Sequence, residues 1–166
     1  CGERKNEKID GFDLGNSPLE FTEERVKDKK LIMTTTNGTK IIRNVKTASN
    51  VMIGSFWNLT ACCEEAKRLG KDILIVCAGQ DGRFAMEDAI CAGGFIYKLE
   101  SLSNTSIEGT DGYYTARLLY ETSCDSLNEA LLRTSHGYNL SKSGFEKDVE
   151  IAQKVDCVNV VPVFHS

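Results

Sequence analysis

The chain lacks the features that mark several classes of protein. No apolar run approaches the roughly 20 residues that span a bilayer. No CxxC pair occurs, so a zinc site of that type is not indicated. No basic tract of the kind that grips a phosphodiester backbone is present. Proline is scarce, with Pro18 and Pro162 only, and histidine equally so, with His136 and His165. There are no repeats, low-complexity stretches or linkers. What is present is ordinary globular usage: 166 residues, 41% hydrophobic and 27% charged, with 20 basic against 24 acidic side chains and a net charge of −4. A chain of this length suits one domain, 1–166, and can bury about 70% of its unfolded surface.

Seven cysteines need their own reading: Cys1, Cys62, Cys63, Cys77, Cys91, Cys124 and Cys157. The number is odd and most lie in apolar segments, which is the pattern of free thiols in a reducing cytosol. The alternative is a catalytic thiol, Cys77 or Cys91, with only His136 or His165 as its base. No signal-peptide pattern opens the stretch. Its first residues, Cys-Gly-Glu-Arg, are neither an initiator methionine nor a leader, and they are expected to continue from a longer chain.

Four short apolar segments read as buried strands: 31–36, 51–55, 73–78 and 158–164, the third being the most apolar. Pro162 places the last at an edge or near its end. Helical spacing separates them. Leu59, Cys62, Cys63, Ala66 and Leu69 mark a helix with Asn58 as cap and Gly70 as stop. Met86, Ala89, Ile90, Gly93 and Tyr97 mark another, and Asp111 is expected to cap a third running to about Tyr120. Residues 125–133 and 145–154 suggest two more, with Asp125 as one cap. Residues 1–30 read as a loop-rich lead-in with at most one short strand. Strand–helix–strand alternation predicts an α/β fold with a mainly parallel sheet.

In such folds ligands bind outside the carboxyl ends of the strands. Three strand ends carry small polar residues: Thr34, Thr35, Thr36, Asn37, Gly38 and Thr39; then Gly54, Ser55 and Asn58; then Gly79, Gln80, Asp81, Gly82 and Arg83. Hydroxyls, glycines and backbone N–H groups make anion sites. Asn37-Gly38 also suits a type I′ hairpin turn. However, Ile41, Ile42, Val45 and Ala48 show helical spacing, which favours strand–loop–helix. Glu87 and Asp88 lie in a first helical turn, where acids complement the dipole and also suit a hard cation. Asp13 is a turn-forming residue beside glycine or a further cation ligand. Arg4 and Arg83 are solvated arginines or oxyanion forks. His136 is a cap or packed residue, or a general acid.

Taken in order, the words GER at 2–4, GFDLGNSPLEF at 11–21, LIMTTTNGT at 31–39, IGSFWN at 53–58, ILIVCAGQDGRFAMEDAICAG at 73–93, SHGYNL at 135–140, GFEKDVEIA at 144–152 and VVPVF at 160–164 resemble the 2-phosphosulfolactate phosphatase family along essentially the whole chain. That family serves coenzyme M biosynthesis in methanogens and sulfolactate metabolism in some bacteria. Its members are longer and begin with a strand and an Asp/Arg/Thr-rich segment that this stretch lacks. The resemblance implies a three-layer α/β/α fold, a cytoplasmic enzyme, and Mg²⁺-dependent hydrolysis of a phosphate monoester on a sulfonated lactate. By that resemblance Asp13, Glu87 and Asp88 are the catalytic candidates, with Asp13 and Glu87 as metal ligands. Arg4, Asn16, Thr34–Thr39, Ser55, Asn58, Gly79, Arg83 and His136 are the substrate contacts. Direct attack by water is favoured over an aspartyl phosphoenzyme, since no DxDx[TV] word occurs. The partner implied is a small anionic phosphorylated sulfonate, with neither nucleic acid nor membrane. A homo-oligomer is consistent with edge strands. The competing readings are a non-catalytic binder of small anions and a cysteine-dependent hydrolase.

Overall fold

Helix α4 organises the core. In the computed structural model, which describes residues 1–4, 7–103 and 107–165, α4 spans Met86–Leu102 and buries Ala89, Ile90, Ala92, Gly93, Gly94 and Ile96. A helix apolar on nearly every side must be wrapped by neighbours. Its neighbours are α3 (Leu59–Leu69) and α5 (Asp111–Glu121). The approach of α5 is set by glycine. A Cβ on Gly93 would lie 2.0 Å from the Ala116 carbonyl oxygen, and one on Gly94 would lie 2.9 Å from Leu59 Cδ1. Ile90 and Cys63, each 1% exposed, are the most deeply buried side chains, packed with Phe56, Leu59, Leu127, Leu131 and Val149.

A polar brace closes the α4–α5 rim. Arg117 Nε donates to Glu100 Oε2 at 2.7 Å and pairs with Glu121 at 2.9 Å, while the Tyr113 hydroxyl donates to Glu100 Oε1. Burial opposes the Glu100 charge, but the Tyr113 and Arg117 hydrogen bonds outweigh it and hold the carboxyl below its usual range. Burial, then the same hydrogen bond, pushes the Tyr113 hydroxyl up to about 12.

The remaining helices are short. They are α1 (Glu23–Val26), α2 (Gly38–Asn44), α6 (Leu127–Arg133), α7 (Ser135–Lys142) and α8 (Glu146–Ala152). One buried hydroxyl joins α6 to α7: Thr134 Oγ1 donates to the Leu131 carbonyl at 2.8 Å and accepts from the Gly137 N–H at 3.0 Å. The chain after α8 turns back onto α3. The Asp156 carboxylate accepts from the Thr60 N–H at 2.7 Å and from its hydroxyl at 2.6 Å, satisfying the first turn of that helix from a distant part of the sequence.

The predicted helices stand with small changes of boundary. Asn58 precedes α3 and Gly70 ends it at φ 61°. Thr110 rather than Asp111 takes the cap position of α5, and Asp125 lies in a 3-10 turn before α6. The strands need correction. Among the described residues the only ladder is antiparallel, β1 (Glu3–Arg4) with β2 (Glu7–Lys8). The segments predicted as four mainly parallel strands contribute isolated bridges: Gly2 with Thr34, parallel, and Met52 with Val163, antiparallel. Pro162 accepts there through its carbonyl, from the Ile53 N–H at 2.9 Å, as its missing donor requires. Residues 73–78 make no backbone hydrogen bond to another segment among the described residues. The reason is physical: an extended segment becomes a strand only when a neighbour takes its N–H and C=O groups. Here the apolar side chains lie open, with Ile32 and Leu74 each 83% exposed. No helix is long and apolar enough to cross a membrane among the described residues.

The packing and the brace each have a measurable effect on stability. Gly93→Ala forces a methyl into the Ala116 carbonyl, and a loss of about 1–3 kcal/mol is expected for overpacking; an unchanged melting temperature would refute the close α4–α5 contact. The depressed Glu100 carboxyl stabilises the fold above its unfolded pKa of about 4.3, and that contribution is lost as pH falls through the lower folded value. Acid unfolding of Glu100→Gln should therefore be flatter than that of the parent, and coincident profiles would contradict the brace.

Candidate active site

The site is assembled around a tight turn. Asp81 has φ 51° and Gly82 φ 75°, and Gln80 and Arg83 exchange both backbone hydrogen bonds, at 3.1 and 2.9 Å. Positive φ at both central residues is the type I′ geometry, for which Asp-Gly is well suited. Gly79 enters the turn at φ 70°, and a Cβ there would lie 2.6 Å from the Arg83 carbonyl oxygen. Asn37-Gly38, the other candidate for such a turn, opens α2 instead.

Two side chains pin this turn. Asp88, in the first turn of α4, accepts the Gly79 N–H on Oδ2 at 2.7 Å. Asn37 Oδ1 accepts the Asp81 N–H at 3.1 Å. Asn37 stands at the cap position of α2, yet its side chain makes no cap bond. Thr35 does that work, its hydroxyl accepting the Thr39 N–H at 3.1 Å. The amide of Asn37 is thereby left to join the threonine loop to the turn.

The N-terminal residues hold the loop from the other side. Glu3 accepts the Thr36 N–H at 2.8 Å and the Thr36 hydroxyl at 3.0 Å. Arg4 donates to Thr34 Oγ1 at 2.9 Å and to the Glu3 carbonyl at 2.7 Å. Gly2 lies so close to Thr34 that a Cβ would meet its carbonyl oxygen at 2.2 Å. From α7, His136 Nδ1 lies 3.3 Å from Gln80 Nε2.

The residues predicted from sequence therefore divide. Hydrogen bonds connect Arg4 with Thr34 and Thr36 by way of Glu3, Asn37 with the Asp81 turn, Gly79 with Asp88, and His136 with the same turn. Gly38 and Thr39 form the start of α2, Arg83 closes the turn, and Glu87 neighbours Asp88 in the chain. Asp13 and Asn16 are exposed, and no hydrogen bond or ion pair among the described residues joins their side chains to the start of α4; the Asp13 carbonyl accepts from Arg25 at 3.1 Å. Ser55 and Asn58 form a clasp. Asn58 Oδ1 accepts the Ser55 N–H and hydroxyl, and its Nδ2 donates to the Ile53 and Val160 carbonyls. This amide is 5% exposed and fully used. Such saturation makes Asn58 the link between segments 51–55 and 158–164 rather than a ligand contact. Glu3 was not singled out from the sequence, and Gln80 only as one of the strand-end residues, although both stand inside the words GER and CAGQDGR.

Four cysteines, both nucleophile candidates among them, are shifted away from the thiolate. Burial, then the nearby Asp88 charge, pushes the Cys77 thiol up. The same causes in the same order, with Cys77 as the third, push Cys91 up to about 12. Burial raises Cys62 and takes Cys63 to about 12. The thiolate is the reactive form, and these shifts disfavour it at all four positions, including Cys77, which is exposed.

For a cation, the described residues hold no group of three or more His, Cys, Asp or Glu side chains placed to bind one metal. Mg²⁺ does not need such a group, since it keeps several waters and takes one or two carboxylates together with substrate phosphate. Glu87 and Asp88 fit that character. Glu87 is half-buried, and no hydrogen bond or ion pair engages its carboxylate among the described residues. Asp88 has one oxygen committed to Gly79.

A cluster of hydroxyls, arginines and turn N–H groups beside a carboxylate pair is the equipment of an enzyme that handles a phosphorylated anion. The sequence comparisons agree: the profile of the 2-phosphosulpholactate phosphatase family matches residues 1–166. A “Probable 2-phosphosulfolactate phosphatase” of Caldanaerobacter subterraneus is 38% identical over 162 residues, 98% of this chain and 66% of that protein. Proteins of the same description from Clostridium acetobutylicum and Thermotoga petrophila are 41% and 40% identical over 163 and 162 residues, in each case 98% of this chain and 68% of the relative. The chain belongs to the 2-phosphosulpholactate phosphatase family, and it spans about two thirds of the length of these relatives.

Asp88→Ala frees the Gly79 N–H. A hydrogen bond to a charged group contributes about 1.5–3 kcal/mol. Amide exchange across 79–83 should accelerate by roughly tenfold or more, while α5 amides stay protected. Equal exchange in the two proteins would show that Asp88 does not hold the turn.

Proposed function

We propose that the protein hydrolyses the phosphate monoester of 2-phospho-3-sulfolactate to sulfolactate and inorganic phosphate, by direct attack of water. The observation that carries this reading is the Asn37–Asp81 hydrogen bond. It brings a loop of hydroxyls and a Gly-rich turn together beside Glu87 and Asp88, in a chain whose whole length matches the family. The substrate bears phosphate, sulfonate and carboxylate, so it needs several anion contacts from different segments. The hydroxyls of Thr34, Thr35, Thr36 and Thr39, with Asn16, Ser55 and His136 from outlying segments, offer neutral contacts. Arg4 and Arg83 offer planar forks.

Phosphoryl transfer asks little covalent chemistry of the protein; positioning and charge neutralisation dominate. Glu87 is the residue assigned to hold Mg²⁺, with Asp88 fixing the turn beside it; Asp13, the second ligand expected from the resemblance, would have to reach the ion from a separate loop. Bound there, Mg²⁺ supplies Lewis-acid charge neutralisation on phosphate oxygens. Asp88 keeps the turn N–H groups in place, the threonines and arginines hold the non-bridging oxygens, and a carboxylate accepts the proton of the attacking water. The bond from phosphorus to the C2 oxygen breaks, and that oxygen leaves with its electron pair and is protonated.

The same reading extends to the architecture. The exposed apolar segments 31–36, 51–55, 73–78 and 158–164 are taken as strands of a three-layer α/β/α fold, one domain throughout. A cytoplasmic enzyme of sulfolactate or coenzyme M metabolism, acting on a small molecule rather than on nucleic acid or membrane, is the role this substrate implies. A homo-oligomer fits the open strand edges.

The test is phosphate release from 2-phosphosulfolactate by the full-length protein, with and without Mg²⁺. Metal-dependent release is expected. Glu87→Gln should weaken the metal dependence more than substrate affinity and cost roughly 10²–10³-fold in kcat, on the scale of a lost transition-state contact. Thr36→Val and Arg83→Ala should mainly raise KM. Binding without any turnover would replace the enzyme with a small-anion binder.

A further inference from the structure

Charge is unevenly distributed along this chain. Between Asp28 and Glu64 there is no acidic side chain at all, whereas Lys29, Lys30, Lys40, Arg43 and Lys46 fall in that interval. The stretch carries +5, so the remainder of a chain of net charge −4 carries −9. The cations are dispersed rather than run together, so a search for basic tracts passes over them.

The fold gathers three of them. Lys40, Arg43 and Asn44 recur at i, i+3 and i+4 of α2 and share one face of the helix. With Lys46, just past its end, they line an open cleft of about 290 Å³. All four are exposed. Among the described residues none of the three cations enters an ion pair. Arg43 lies in the last turn of α2, where the helix dipole favours a cation, but Lys40 does not. Lys40 lies in the first turn, where the helix dipole disfavours a cation. Like charges on one helix face repel, and an oxyanion between them would turn that repulsion into attraction, with Arg43 able to grip it through two parallel N–H groups. Lys40 follows Thr39 in the chain, so the helix that carries these cations is the one the threonine loop leads into.

We propose that the Lys40–Arg43–Lys46 cleft is a second oxyanion-binding site, separate from the threonine loop, that captures phosphate- and sulfonate-class anions and passes the multiply negative substrate to the loop beside it. The delivery role rests on the phosphatase reading; the binding does not. In a chain that is otherwise acidic, such a local positive field raises the encounter rate of an anionic ligand, and salt screens it.

The experiment is an amide ¹H–¹⁵N titration of the full-length protein with inorganic phosphate and with methanesulfonate at constant ionic strength, chloride being the reference. Saturable shifts at residues 40–46 are expected with both anions and not with chloride, and they should vanish in the Lys40→Ala/Arg43→Ala/Lys46→Ala variant. Lys46→Ala alone, outside the helix, should weaken them without affecting the fold. In the kinetic arm the triple variant should keep kcat, lose about tenfold in kcat/KM at low salt, and show a flatter ionic-strength dependence. Shifts that persist in the triple variant, rise without saturation, or match those of chloride would overturn the site. Saturable shifts in a protein that releases no phosphate would remove the delivery role and the phosphatase reading together, and leave the binding site standing.

Discussion

Gly79 adopts a left-handed φ of 70° with the Arg83 carbonyl where a side chain would stand, and its N–H is taken by a carboxylate nine residues further on. That single charge-assisted bond, from Gly79 to Asp88, ties the type I′ turn to the first turn of α4. Among the described helices α4 carries the largest number of buried residues, so the turn is referred to the packed centre of the molecule. Everything else at the site is referred to the turn: Asn37 through the Asp81 N–H, and His136 through Gln80. The threonine loop is in turn braced by Glu3 and Arg4. Function placed on loops needs this kind of anchoring, because a loop alone has no packed face to hold it.

The electrostatics depend on the same arrangement. Asp88 spends one oxygen on structure, and its charge helps keep Cys77 and Cys91 as neutral thiols. That leaves carboxylates, hydroxyls and arginines as the chemically active groups, a set suited to neutralising and positioning an anion rather than to covalent attack through sulfur. The cations of α2 add a positive patch next in sequence to the threonine loop, in a chain that is acidic elsewhere.

What could be read in the sequence was the part governed by local rules. The helical spacing of Leu59 to Leu69, the Gly70 stop and the apolar continuity of 86–97 all survive in α3 and α4, since helix hydrogen bonds close within a segment. Strands differ: 73–78 is apolar enough for a sheet interior, but its pairing depends on a neighbour that local pattern does not specify. Of the two dipeptides suited to the I′ turn, Asn37-Gly38 leads into the helical spacing of Ile41 and Ile42 and so opens a helix, whereas Asp81-Gly82 closes the Gln80–Arg83 pair. The role of Asn58 was invisible in advance, because its amide is consumed by Val160, 102 residues away. The bonds of Glu3 and Gln80 were invisible for the same reason: their partners, Thr36 and His136, are remote in sequence and near in space.

The most direct measurement of the central claim is a crystal structure of the full-length protein with Mg²⁺ and the product pair, sulfolactate and phosphate. The phosphate is predicted to lie among Thr34–Thr39 and the 79–83 turn, with Mg²⁺ on Glu87 and the Gly79–Asp88 bond intact. Phosphate bound away from both loops, or Glu87 pointing away from the metal, would contradict it.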